Sequence, residues 1–72
     1  MKAKISIDTL SRINKFVAIC SKIDCPIHLV DGNGYCISAK SILGAVATAD
    51  WSEVFVECEQ DIYSAIQEFV AD

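Results

Sequence analysis

Basic residues and histidine are scarce in this chain, and that scarcity removes several functions. Six Lys and Arg stand against ten Asp and Glu, for a net charge of −4. The six form no run or stripe, which argues against nucleic acid, whose phosphates demand clustered cations. The same lack argues against an anionic membrane surface. No apolar run approaches the ~20 residues that span a bilayer. The first residues, Met1-Lys2-Ala3-Lys4-Ile5-Ser6, carry no apolar signal region and no small-residue cleavage site. The expectation is a soluble, cytoplasmic protein. His28 is the only histidine and no Cys-x-x-Cys pair exists, so a zinc site of tightly spaced ligands is not expected. No cofactor is expected either.

The four cysteines, at 20, 25, 36 and 58, would allow two disulfides in a secreted protein. Without a secretion signal they read as reduced thiols that behave as small apolar side chains. By period, Cys20 and Cys58 fall on core faces, which leaves Cys25, beside Pro26, as the most exposed candidate for redox chemistry.

What the chain has is apolar residues, 53% of its 72 positions. That is enough to build one domain, residues 1–72, despite the small fraction of surface so short a chain buries. Lys2 to Ile7 alternates, with Ala3, Ile5 and Ile7 on one face, and predicts a half-buried strand. Asp8, Thr9 and Ser11 offer N-cap oxygens for a helix. From Ile13 the period becomes helical, with Ile13, Phe16, Val17 and Cys20 as its core stripe. Asp24-Cys25-Pro26 ends that helix. Ile27 to Val30 is a second strand, with His28 on its solvent side. Asp31-Gly32-Asn33-Gly34 is a hairpin turn and Tyr35 to Ser38 the returning strand. Ile42, Leu43, Val46 and Ala47 are the apolar positions of a short helix after Ser38 or Ser41. Glu53 to Cys58 alternates again, with Val54, Val56 and Cys58 inward. A last helix starts near Glu59-Gln60-Asp61 and carries a stripe of Ile62, Ala65, Ile66, Phe69 and Val70. The order β-α-β-β-α-β-α predicts an α+β fold. Its form is an open-faced, two-layer sandwich, a four-stranded antiparallel sheet covered on one face by three helices.

Lys40-Ser41-Ile42-Leu43-Gly44 before a short apolar helix resembles the regulatory-serine segment of HPr, the histidine phosphocarrier of the bacterial sugar phosphotransferase system. The element order is similar over nearly the whole chain, although the connector before the fourth strand is shorter by a few residues. The family's phosphocarrier element is a histidine followed by Ala-Arg-Pro. Here the corresponding region is Ile7-Asp8-Thr9-Leu10-Ser11-Arg12-Ile13. Counting back from Ser41, the histidine's place falls on Thr9 or on Leu10, depending on the length of the hairpin turn. Neither supplies an imidazole: a threonine ester holds its phosphoryl group too firmly to pass it on, and leucine has no nucleophile. Arg12 lies near the place of the family's phosphate-steadying arginine.

The resemblance implies two further roles. Ser41 stands where a regulatory kinase phosphorylates the family; as an ordinary serine before a helix, it also reads as a plain N-cap. Ile42, Leu43 and Val46 stand on the family's docking patch, with Leu43 and Val46 expected outward and Ile42 in the core. Trp51 and Tyr35 either extend that patch or pack inside.

The expected function is thus a non-catalytic HPr-like regulatory or adaptor module, not an enzyme. It would bind a protein partner, a phosphotransferase or regulatory protein, through the middle helix. Two alternatives stand beside it. One is a true phosphocarrier with a displaced acceptor such as His28 or Asp8. The other is a self-assembling structural module unrelated to sugar transport, paired through the middle helix or the cysteine-bearing strands. The expected state is a monomer or weak dimer.

Overall fold

The computed structural model describes residues 1–71. The chain runs through β1 (Lys2–Ile5), α1 (Leu10–Ser21), β2 (Ile27–Val30), β3 (Cys36–Ser38), α2 (Ile42–Ala47), β4 (Val54–Cys58) and α3 (Tyr63–Ile66). Short 3-10 turns follow α2 (Thr48–Asp50) and α3 (Gln67–Phe69). The four strands form one antiparallel sheet in the order β1-β4-β2-β3, an α+β architecture with the expected element order.

Register follows from alternation. Ile5 pairs with Val54, Leu29 with Val56, and Ile27 with Cys58. All six side chains fall on the inner face and are buried. Against them lies the α1 stripe of Ile13, Phe16, Val17 and Cys20, all buried as its spacing predicts. Phe16 meets Phe69 edge to face, with ring centroids 5.3 Å apart.

Local chemistry sets the ends of the elements. Thr9 is in extended conformation and its hydroxyl oxygen accepts from the Arg12 N–H at 3.2 Å, capping α1. In the hairpin turn one Asp31 carboxylate oxygen accepts from the Asn33 and Tyr35 N–H groups, at 2.8 and 3.0 Å. Gly34 takes φ +97°, the conformation that residues with a Cβ avoid.

The structure departs from the sequence reading at several points. β1 ends at Ile5, though Ile7 is buried beyond it. β3 starts at Cys36 rather than Tyr35, because Tyr35 closes the turn through its carbonyl, which accepts from Asp31 N–H. The last helix starts at Tyr63 and tightens into a 3-10 turn after Ile66. Its stripe therefore changes period: Ile62, Ile66 and Phe69 are buried, Ala65 is exposed, and Val70 leaves the helix to bridge Ile5. Finally, Cys25 is buried and Cys36 is the exposed thiol, because Cys25 turns inward onto Cys58 while Cys36 lies on the outer face of β3.

Candidate functional site

The face of α2 is set by its small residues. A Cβ on Gly44 would sit 3.3 Å from Ile37 Cδ1, so the helix approaches β3 closely at that point. Ala45 and Thr48, one turn apart, are buried on the same side. The Thr48 hydroxyl donates to the Ala45 carbonyl at 2.7 Å and is thereby satisfied. With the small side chains inward, the large ones point out. Ile42 is 50% exposed, Leu43 86% and Val46 41%. Leu43 and Val46 are outward as expected. Ile42 is not a core residue, because the approach through Gly44 and Ala45 turns it to the surface. Ser41 is exposed, extended and caps the helix, its hydroxyl oxygen accepting from Gly44 N–H at 3.1 Å.

α2 packs beside α1, the helix that Thr9 caps and Leu10 opens. Leu10 is 63% exposed there. Thr9 is exposed and its hydroxyl serves the α1 cap. Arg12 reaches back across the molecule. Its guanidinium donates to the Ser6 carbonyl through two nitrogens, at 3.2 and 2.9 Å, and to the Glu68 carbonyl at 3.2 Å. It also lies over the Phe69 ring, 5.1 Å from the centroid, and 3.9 Å from the Asp8 carboxylate. Arg12 thus ties the start of α1 to the C-terminal segment. Lys15 strengthens the same tie through the Glu68 carboxylate at 2.9 Å.

The other candidates lie apart from α2. His28 is exposed on the outer sheet face, in a row that runs Lys2, Glu57, His28, Ser38 across the strands. The adjacent row is Lys4, Phe55, Val30, Cys36. Tyr35 and Trp51 stack with centroids 6.3 Å apart at the turn end of the sheet. Tyr35 is exposed and Trp51 half-buried. Among the described residues, no group of three or more His, Cys, Asp or Glu is arranged to hold a metal ion, and no helix is long and apolar enough to cross a membrane.

Sequence reasoning missed the exposure of Ile42 and of Leu10. The available signal was the Gly44-Ala45 pair, which marks the side on which a helix packs closest. No protein-family model, no curated protein and no solved structure matches the chain.

Proposed function

We propose that this protein is a non-catalytic adaptor with the scaffold of an HPr-like domain, which binds a protein of the phosphotransferase or its regulatory machinery through α2. The observation that carries this reading is the inversion of α2: small residues face the core, and Ile42, Leu43 and Val46 face solvent. A helix that served only the core would bury its largest apolar side chains. The residues at the aligned carrier position fit a loss of phosphoryl chemistry. Thr9 is engaged as a helix cap and Leu10 offers no acceptor. Arg12, with its guanidinium on two main-chain carbonyls, has a structural use where it stands. Ser41 retains a place for regulation, since phosphorylation there would add about two negative charges beside the docking residues.

The experiment uses phosphotransferase enzyme I in two arms. With phosphoenolpyruvate and Mg²⁺, the intact mass of the protein should not change. In a binding titration, Leu43→Asp should weaken association by about tenfold or more, the order of magnitude for losing one buried leucine contact. A phosphorylated product, on His28, Asp8 or any other residue, contradicts the non-catalytic reading. Undiminished binding by Leu43→Asp contradicts the assignment to α2.

A further inference from the structure

Cys25 and Cys58 come from segments 33 residues apart, yet their sulfurs lie 3.1 Å from each other. Both are buried. Cys58 closes β4, and its partner in β2 is Ile27, so Cys25 lies two residues ahead of a hydrogen-bonded register. The sheet therefore holds the two thiols together. The thiols are uncrosslinked, and the approach needed to form a bond of ~2.05 Å is about 1 Å.

The pair is also reachable. A groove of about 480 Å³ opens beside it, lined by Met1, Pro26, His28 and Cys58 among others. It is wide enough for a peroxide or a small disulfide. Cys58 is among the residues lining this groove, and Cys25 and Cys58 keep 8% and 5% of their surface exposed. The Lys40 ammonium, held by its hydrogen bond to the Ile23 carbonyl, contributes positive charge that favours a thiolate at Cys25. The hydrogen bond between Cys25 and Cys58, the larger influence, and burial act the other way and raise the Cys25 thiol.

We propose that Cys25 and Cys58 form an intramolecular disulfide on exposure to a peroxide, making this pair an oxidative modification site. The Cys58 thiolate attacks one peroxide oxygen, the O–O bond breaks, and hydroxide leaves with a sulfenic acid at Cys58. The Cys25 sulfur then attacks the Cys58 sulfur. The S–S bond forms, the S–OH bond breaks, and water departs with the Cys25 proton. In sum two thiols are oxidised and one peroxide is reduced to two waters. The crosslink ties the segment before β2 to the end of β4 and constrains the unfolded chain.

Treatment of the intact protein with hydrogen peroxide tests this. Expected are a loss of about 2 Da in the monomer, a Cys25–Cys58 peptide in the digest, and a thermal midpoint raised by about 10 °C over the reduced form. Cys36→Ser should react as the wild type does. Cys25→Ser should stop at an oxidised Cys58 without the crosslink. A digest that shows Cys36 in the bond, a covalent dimer in place of the internal link, or unchanged thiols under excess peroxide would overturn the assignment. Because the digest is made on the wild type, the assignment stays open to refutation even if Cys25→Ser fails to fold.

Discussion

At the level of single residues, the division between core and surface is governed by which side chain can approach closest rather than by which is most apolar. Ile42 and Leu43 are among the most apolar residues of the chain and are exposed, while Ala39, Ala45 and Thr48 are buried. This is also where the sequence was hardest to read. Spacing alone treats Ile42 as core, and proximity to Pro26 makes Cys25 look exposed; both are settled by contacts with distant residues, Ile37 and Cys58. By contrast Cys20, placed inward by helical period, is fully buried between α1 and the sheet. Burial pushes its thiol up from 9.0 to about 11, with the Lys40 ammonium opposing. The unfolded chain ionises this group near its ordinary value and the folded chain does not. Stability is therefore complete below pH 9 and falls as pH rises from 9 towards 11. The Cys25 thiol, also raised, adds in the same direction. Urea midpoints measured between pH 8 and pH 10.5 should decline more steeply for the wild type than for Cys20→Ala. Parallel curves would refute this.

Among the elements, α1 was legible because its period is uninterrupted and its cap is local: Thr9 needs only the Arg12 N–H three residues on. α3 was legible in position but not in extent. Its stripe of apolar residues continues to Val70, yet the backbone tightens after Ile66 so that Val70 can bridge Ile5. That demand comes from β1, far away in sequence. α2 lies between these cases. Its start is marked by Ser41, whose hydroxyl satisfies the Gly44 N–H, and its orientation by the close contact at Gly44. In so short a helix one cap is a large share of local stability. Ser41→Ala should cost about 1 kcal/mol and lower the thermal midpoint by about 5 °C, read by calorimetry. A midpoint within a degree of the wild type would show that the capping bond is not needed to hold α2 in place.

For the molecule as a unit, the number and order of elements could be read from alternation and period, whereas the strand order β1-β4-β2-β3 is non-local. β4, the last strand in sequence, is central because both its neighbours bury Val54, Val56 and Cys58 with it. The C-terminal segment then covers the edge of β1, where Ala71 N–H donates to the Lys4 carbonyl at 2.8 Å. The result has a radius of gyration of 10.6 Å, close to the ~11 Å expected for a folded chain of this length. Helices occupy one side of the sheet, and the two polar and mixed rows occupy the other. The apolar face of α2 and the outer sheet face are thus separate surfaces, and spectroscopy can tell them apart. The proposed docking through α2 is checked by following the amide resonances of the isotopically labelled protein as unlabelled enzyme I is added. The perturbed signals should cluster on Ile42, Leu43 and Val46, with Leu10 beside them. Perturbations confined to the sheet face around His28 and Phe55, or none at any residue, would show that α2 is not the docking surface.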